Sequence, residues 1–372
     1  MFNISNNLKR SWQILWNYKV LWIFAFLLAL TSGNSSNGGS GGNGIRYTFN
    51  GNNNRSMPQG QWQDWMNQAQ TWITQNVDPL FATRTAALNT AIWIVVGVIL
   101  LIIVVSLLFA LVRYPAESAI IRMVDEHERT GQKLRFSEGW KLGWTRRAFR
   151  LWVIDLILSI PVILFVIIML GGVFLTVFGV ASNHAQAIFP GVVFIIFAIL
   201  FSLVFIALMV FLGLLRQFFA RAALLEDTGV GESFSRGWQV FKQNAKNAFL
   251  MWLILLGIGF ALGIGMVLVA FLLIPTYVIM AIPGAIVAAV PAAIAYGISS
   301  LFVSQVVTWI IAGVVAIPFL FAIVFSPLIF IGGLVQLFNS NNWTLSYRQF
   351  ITPEVPPALP QTPPVLPVQP AE

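Results

Sequence analysis

Thr130-Gly-Gln-Lys-Leu-Arg-Phe-Ser-Glu-Gly-Trp140 returns without a gap as Thr228-Gly-Val-Gly-Glu-Ser-Phe-Ser-Arg-Gly-Trp238, and each copy stands directly before a long apolar run. The two copies share Thr, Gly, Phe, Ser, Gly and Trp at the same spacing. A match of this kind indicates an internally duplicated chain. The repeated segment is basic and aromatic, so it predicts architecture and membrane placement rather than a chemical reaction.

Composition predicts a membrane protein. Hydrophobic residues make up 58% of the chain and charged residues only 9%, so a water-soluble fold would expose too much apolar surface. No charged residue occurs between Lys246 and Arg348, a stretch several times the roughly 20 residues that one helix needs to cross a bilayer. The chain has no cysteine, which excludes disulfides, thiolate metal sites and cysteine nucleophiles.

Long apolar runs without alternation favour helices, because in lipid only helices or closed barrels satisfy the backbone. We therefore expect an all-α integral membrane protein with about six transmembrane helices. The runs that can span are Val20 to Thr31 with the turns before it, Leu88 to Val112, Phe149 to Val180, Ile188 to Leu215, Phe249 to Thr276 and Ser304 to Phe338.

The distribution of Lys and Arg predicts the topology. Nine occur from Arg113 to Arg150 and five from Arg216 to Lys246, whereas the segment from Ser32 to Ala87 has three. The positive-inside rule then puts the basic segments and both termini on the cytoplasmic side of a bacterial inner membrane. The duplication agrees, because two copies on one face require an even number of spans between them.

Three repeated units are expected, each an interfacial amphipathic helix followed by a two-span hairpin. A degenerate copy of the amphipathic lead-in opens the chain, with Trp12 and Trp16 on one helical face. The predicted units are residues 1–112 with an outer Gly/Asn/Ser-rich loop at 32–87, residues 113–215, and residues 216–348 with a Pro/Ala-rich insertion at 277–300; residues 349–372 are predicted to form a disordered Pro-rich tail.

Two segments leave alternatives open. Pro283 and Pro291 interrupt the apolar segment from Tyr277 to Ser300, which favours a buried or re-entrant piece over an extra span, since an even count matches the repeat. In the outer loop, the aromatic residues from Trp62 to Trp72 fall at helical spacing and predict a helix resting on the outer interface. A lid or a partner-docking helix is the alternative there.

Few polar residues are candidates for chemistry. Asp155 is the sole acidic residue inside a predicted span, and we expect it to snorkel to the cytoplasmic interface or to pair with Arg146, Arg147 or Arg150. A proton-coupled functional role is the alternative. The cluster from Arg122 to Arg129 is interpreted as a mutually paired cytoplasmic turn, with a metal site as the minor alternative. Gly259-x-x-x-Gly263 has the spacing that lets transmembrane helices approach closely. We predict no catalytic residue, no metal site and no cofactor.

Basic and aromatic side chains of the lead-ins are the candidate lipid contacts. Such side chains suit the headgroup region and attract anionic lipid. We therefore expect anionic membrane lipids and a membrane protein as partners, and no nucleic acid. The candidate lipid-interface residues are Lys9, Arg10, Trp12, Trp16, Trp140, Trp144, Arg146, Arg147, Trp238, Lys242 and Lys246.

These features favour a non-enzymatic membrane scaffold that binds lipid or partner proteins. The alternative is a component of a transporter or channel for a small solute, because repeats and Pro/Gly-broken helices are typical of transport paths. A membrane-bound lipid enzyme is the third possibility, disfavoured because the sequence shows no convergent catalytic set.

The chain also resembles a known group of proteins. The resemblance is carried by Trp12-x-x-x-Trp16 before Leu21-Trp-Ile-Phe24, by the two Phe-Ser-x-Gly-Trp lead-ins, and by the closing Trp343-Thr-Leu-Ser-Tyr-Arg348. These residues look like a broad group of uncharacterised bacterial polytopic membrane proteins, distantly similar to the membrane domain that accompanies some glycerophosphoryl diester phosphodiesterases. The resemblance covers about residues 1 to 350 and implies a helical membrane fold without transferable catalytic residues.

Overall fold

The computed structural model describes residues 4–32, 71, 84–181, 188–301 and 305–352, and within these ranges the chain is helical and has no β-strand. This confirms the all-α prediction. The helices are α1 Ile4–Asn17, α2 Val20–Ser32, α3 Arg84–Thr130, α4 Phe136–Gly143, α5 Arg146–Ala181, α6 Ile188–Leu225, α7 Val230–Gln243, α8 Ala245–Leu272, α9 Ile274–Ser299, α10 Gln305–Val324 and α11 Ser326–Ile351.

Several of these helices can cross a membrane. Four of them, α5, α6, α8 and α9, are each long and apolar enough to do so. Two further pairs pass the same test together, although a bend of 98° separates α1 from α2 and one of 68° separates α10 from α11. In addition, α3 is unbroken for 47 residues and contains the predicted span from Leu88 to Val112. The chain is therefore a multi-pass membrane protein.

Each predicted lead-in forms a helix of its own, separated from the helix that follows it by one or two residues. These lead-in helices are α1, α4 and α7. Two of them begin with the same capping arrangement, in which the Glu138 carboxylate accepts a hydrogen bond from the Arg135 backbone N–H and Glu232 does the same for Gly229. Each of these bonds satisfies one backbone donor at the start of the helix. The repeated sequence thus specifies a repeated helix start.

The helices that follow the lead-ins repeat one pattern of burial. The first buried position of α2, α5 and α8 is Leu21, Ala148 and Ala248, respectively; the second, three residues later, is Phe24, Leu151 and Met251. One turn further on, Leu28 and Leu255 are buried, and Asp155 occupies the equivalent place in α5. This recurrence relates the three units in space and marks Asp155 as a charge at an otherwise apolar position.

The units close into a ring. The lead-in α4 packs on α3, α7 packs on α6, and α1 packs on α11. Each lead-in therefore contacts the helix that ends the preceding unit, and the first lead-in contacts the helix that ends the chain's last unit. These three exit helices, α3, α6 and α11, also contact one another at the centre. The predicted residue boundaries of the units stay predictions, and α3 and α6 both cross one of them.

A glycine of the duplicated motif allows this packing. A Cβ placed on Gly237 of α7 would lie 3.0 Å from the backbone nitrogen of Phe219 in α6. A Cβ on the equivalent Gly139 of α4 would collide with the Met123 sulfur of α3. Ser11, the matching residue of α1, is fully buried. Small residues are therefore required where each lead-in approaches an exit helix.

The buried core lies toward one end of the helices. Apolar side chains of the lead-ins and of the polar ends of the exit helices fill it, whereas the remaining parts of α5, α6, α8, α9 and α10 expose large hydrophobic side chains. Hydrophobic surface on this scale requires an apolar solvent. The exposed hairpins therefore lie in lipid, and the packed core stands beside one face of the membrane.

The interpretation of residues 277–300 as a piece buried among helices is wrong. They belong to α9, which continues through Pro283 and Pro291 and leaves Ile282 71% and Ile286 66% exposed. Proline usually interrupts a helix in water, which was the basis of the prediction. Membrane helices tolerate proline where the freed carbonyls find other partners. The Tyr277 ring of α9 lies 5.0 Å from the ring of Phe325, the residue after α10, and the Tyr296 ring of α9 lies 4.8 Å from the Trp309 ring of α10. The two helices therefore form an antiparallel hairpin.

That hairpin is inserted between α8 and α11. A Cβ on Gly332 of α11 would lie 3.2 Å from the Met266 methyl carbon of α8, which places these two helices side by side. The chain therefore leaves along α8, makes the α9–α10 hairpin and returns along α11. The insertion therefore adds two helices, α9 and α10, to the third unit.

Two other expectations have different outcomes. The prediction that another helix packs closely on Gly259 and Gly263 is wrong for the described residues. No described atom of another element lies within 4 Å of a Cβ placed on either glycine. Their face of α8 is open. The outer loop with its expected helix and the Pro-rich tail at 349–372 fall almost entirely outside the described residues, although Thr71 and the ends of α2, α3 and α11 belong to them.

Candidate functional site

Three cations stand at the junctions between lead-ins and membrane helices. Lys19 precedes α2, Arg146 begins α5, and Lys246 lies in the first turn of α8. The burial pattern of the three units puts them at equivalent positions, two residues before the first buried residue. All three are exposed, and none of their side chains has a hydrogen-bond or ion-pair partner among the described residues. They are therefore free to bind an external anion.

An aromatic residue follows each of these cations at a spacing of three. These are Trp22, Phe149 and Phe249, and the last two are 62% and 56% exposed. Phe149 lies 5.3 Å from Trp152, and Phe249 lies 5.5 Å from Trp252, between ring centroids. Residues three apart lie on one helix face. We call Lys19/Trp22, Arg146/Phe149 and Lys246/Phe249 the three cation–aromatic pairs.

The other predicted lipid-interface cations divide into free and engaged groups. Lys9 and Lys242 are exposed and have no partner among the described residues. Arg10 instead forms an ion pair of 2.8 Å with Glu128, and Arg147 forms one of 2.8 Å with Asp227. The charges of Arg10 and Arg147 are therefore used in ion pairs within the protein.

The predicted tryptophans lie mainly on the surface. Trp140 alone is half-buried, where its ring stacks 6.3 Å from Phe24 and extends the apolar core. The exposed ones adjoin the exposed cations, as expected of side chains at a membrane–water interface. The exposed tryptophans are Trp12, Trp16, Trp144 and Trp238.

Asp227 links the end of α6 to the start of α5. Its two carboxylate oxygens bind Arg147 and Arg150 at 2.8 and 2.7 Å. Desolvation raises the pKa of this carboxyl, but the two guanidinium groups outweigh it and the net pKa is lowered. Its backbone φ of 57° lies in the left-handed region, where Asp is tolerated better than most residues. Asp227 therefore ends α6 and anchors two arginines.

The interpretation of the cluster from Arg122 to Arg129 as a mutually paired turn is wrong. Its carboxylates bind distant helices instead: Asp125 binds Arg348 of α11, and Glu128 binds Arg10 of α1. Arg122 donates to the Leu142 carbonyl at the end of α4 at 2.5 Å. Consecutive side chains point around a helix, so each one meets a different neighbour. The described residues contain no group of three His, Asp or Glu placed to hold a metal ion.

The predicted partners of Asp155 are also wrong. Arg216 of α6 binds its oxygens at 2.5 and 2.8 Å, and Arg113 of α3 lies 3.6 Å away. Arg216 also donates to both oxygens of Glu117 at 2.9 and 3.0 Å. We call Arg113, Glu117, Asp155 and Arg216 the buried charge cluster. The cluster joins α3, α5 and α6. Because its side chains are largely buried, removing one member would leave an uncompensated charge inside the protein.

Glu117 and Arg216 were not predicted to cluster with Asp155. Both lie in basic segments that were interpreted as solvent-exposed regions beside the membrane spans. Arg216 is 61 positions from Asp155 and 99 from Glu117. A signal was nevertheless present. Asp155 is the sole acidic residue in its apolar run, and a carboxylate at a buried position requires a cationic partner from another helix.

A family model described as "Family of unknown function (DUF7544)" matches residues 4–342. No curated protein and no solved structure matches the chain.

Proposed function

Because the chain belongs to DUF7544, a family of unknown function, we propose its role from its own geometry: a membrane scaffold that binds anionic lipid headgroups at the three cation–aromatic pairs. The observation that carries this proposal is the threefold recurrence of an exposed cation, without a side-chain partner among the described residues, three positions before an aromatic residue. The aromatic residue is exposed in two of the pairs, and Trp22 is half-buried. One such pair is ordinary on a membrane protein. Three at equivalent positions indicate a shared role.

The chemistry of the pairs suits a lipid phosphate. Each cation lies at the first residues of a membrane helix, where the helix dipole also favours negative charge. The neighbouring ring can rest among the acyl chains while the cation meets the headgroup. Each Lys or Arg beside an anionic surface contributes about 1 kcal/mol, so three sites together contribute about 3 kcal/mol.

The scaffold part of the proposal rests on how the charges of the core are used. The carboxylates Glu117, Asp125, Asp155, Glu226 and Asp227 each bind an arginine. These pairs hold different helices together across the ring. A rigid ring with an aromatic and basic rim is suited to presenting lipid, and we propose a membrane protein as its further partner.

The location follows from the charge distribution. We propose that the ring faces the cytoplasm of a bacterial cell from the inner membrane, with both termini on that side, because the Lys- and Arg-rich segments form the ring. The resemblance to the membrane domain that accompanies some glycerophosphoryl diester phosphodiesterases stays an interpretation. It is compatible with a lipid-facing role and assigns no reaction to this chain.

The test is lipid retention by the purified full-length protein. Lys19, Arg146 and Lys246 are replaced together by Gln, and the ratio of phosphatidylglycerol to phosphatidylethanolamine that co-purifies is measured. The matched control replaces Arg129, Lys133 and Arg135 by Gln, which removes the same charge from the last turn of α3 and the segment that follows it. We expect the ratio to fall several-fold in the first variant and little in the control. Equal ratios in both variants would reject the three pairs as lipid sites.

Transport is the second candidate function, and the buried charge cluster is the observation that favours it. Two carboxylates and two arginines lie together between α3, α5 and α6, and ionisable groups among membrane helices often mark a transport path. A flux assay in liposomes with a panel of small solutes distinguishes the two functions. A transporter should exchange at least one solute, and Asp155→Asn should reduce that exchange.

A further inference from the structure

We propose that a small inorganic anion of chloride size binds at the centre of the ring, held by Arg221 of α6 with Ser118 of α3 and Asn341 of α11. We call these three residues the central polar layer. This site is separate from the lipid sites of the rim, and it does not depend on them.

Three contacts establish that the layer is a single level of the bundle. Arg348 of α11 binds Asp125 of α3, and Asn341 and Ser118 each lie seven residues, or two helical turns, before them on parallel helices. Arg221 donates to the carbonyl of Ser340, the residue before Asn341, at 3.0 Å. Arg216, which precedes Arg221 in α6, binds Glu117, the residue before Ser118, at 2.9 and 3.0 Å. The three residues therefore lie at one level of the three exit helices.

The polar atoms of the layer lack partners. Asn341 and Ser118 are fully buried and Arg221 is 2% exposed. Neither the nitrogen nor the oxygen of the Asn341 amide has a hydrogen-bond partner among the described residues, and the same holds for the Ser118 hydroxyl and the Arg221 Nε. Buried polar groups are nearly always hydrogen-bonded, because leaving one unpaired costs about 1–3 kcal/mol. Three of these atoms, the Asn341 amide nitrogen, the Ser118 hydroxyl and the Arg221 Nε, are hydrogen-bond donors. Three unpaired donors at one level indicate a bound acceptor.

The charge of the surroundings specifies an anion. Arg221 makes its remaining hydrogen bonds to neutral acceptors, namely the Gln217 side chain and two carbonyls. The two nearby carboxylates, Glu117 and Asp155, already bind Arg216 through both of their oxygens. With Arg113 included, three guanidinium groups face two carboxylates. One buried positive charge is left without a counter-ion, and arginine cannot lose its proton to relieve it.

The donors and the enclosure limit the size of this anion. Arg221, Asn341 and Ser118 each offer an N–H or O–H, and a water molecule would accept these bonds without neutralising the charge. The near-complete burial of all three residues excludes a large organic anion. A monovalent ion that loses its hydration shell readily fits both conditions.

The experiment measures thermal unfolding of the purified full-length protein by tryptophan fluorescence, in sodium chloride and in sodium gluconate of equal ionic strength. We expect the midpoint to rise by about 2 °C for each tenfold increase in chloride, and bromide to act like chloride. Gluconate should have no such effect. Equal midpoints in the two salts would overturn the proposal.

Variants locate the effect. Arg221→Met removes the charge while keeping the volume, so its midpoint should no longer respond to chloride. Arg10→Gln, which breaks an exposed ion pair, should retain the full response and serves as the control. If Arg221→Met does not fold, Asn341→Leu takes its place and should shift the response to at least tenfold higher chloride. A response that persists unchanged in the variant that folds would overturn the assignment.

Discussion

Arg216 binds Asp155 through two hydrogen bonds, at 2.5 and 2.8 Å, and joins α6 to α5 at a position where the other two units carry leucine. The same guanidinium binds Glu117 of α3, so one side chain connects both helices of the second hairpin to the exit helix of the first unit. The second unit is thus attached to its neighbour by charge where the others pack through apolar contacts.

Asp155→Asn is predicted to destabilise the protein by about 3 kcal/mol, because removing one member of a buried ion pair leaves the other charge uncompensated. Arg10→Gln, which breaks the exposed pair with Glu128, should cost less than about 1 kcal/mol. Unfolding in mixed micelles with increasing denaturing detergent measures both. If the two variants lost similar amounts of unfolding free energy, the buried ion pair would contribute no more to stability than the exposed one.

Gly237→Val is predicted to destabilise the protein by about 1–3 kcal/mol, since the new side chain would press on the backbone of α6 at Phe219. Gly231, in the same helix, is the matched control, because no described atom lies within 4 Å of a Cβ placed there. Gly231→Val should therefore change the unfolding midpoint much less. If both variants behave alike, the loss reflects helix propensity and the packing argument fails.

The Asp227 link predicts a dependence on pH. Its pKa is lower in the folded protein than in the unfolded chain, so its stabilising contribution is present above the unfolded value of about 3.9 and is lost as the pH falls through the folded value. Asp227→Asn should therefore have a lower unfolding midpoint than the parent at pH 7, and the difference should shrink below about pH 4. A difference that is constant between pH 7 and pH 3 would contradict this.

Topology can be read with single cysteines, since the chain has none of its own. Cysteine at Ser40 should react with a membrane-impermeant thiol reagent in intact cells, whereas cysteine at Ser137, Ser235 or Thr362 should not. We expect α9 and α10 both to cross the membrane and so to leave the tail on the side of the ring. Labelling at Thr362 in intact cells would require an odd number of crossings.

The parts of the fold that local pattern determines could be predicted from the sequence. Apolar length gave the membrane helices, and the duplicated Phe-Ser-x-Gly-Trp motif gave α4 and α7, because both signals are read within about one helix. The breaks at Trp144 and Asn244 and the course of α9 through two prolines were not predictable in this way. They depend on neighbouring helices, which a local pattern does not contain.

The partners of charged residues were the least predictable feature. Proximity along the chain suggested Arg146, Arg147 or Arg150 for Asp155, but Arg147 and Arg150 bind Asp227 instead. A long side chain pairs with whichever opposite charge the packing brings near, and here that charge comes from 61 to 99 positions away. Aligning the three units would have flagged Asp155 as exceptional without identifying Arg216.

We propose that the three cation–aromatic pairs are separate and equivalent lipid sites. Native mass spectrometry can count the lipids bound at them. The purified protein is released from micelles that contain phosphatidylglycerol, and tightly bound lipids are counted for the parent and for Lys19→Gln, Arg146→Gln and Lys246→Gln singly. We expect each single variant to retain one lipid fewer than the parent. The variant that combines all three substitutions should retain three fewer. An unchanged count in the triple variant would contradict the proposal.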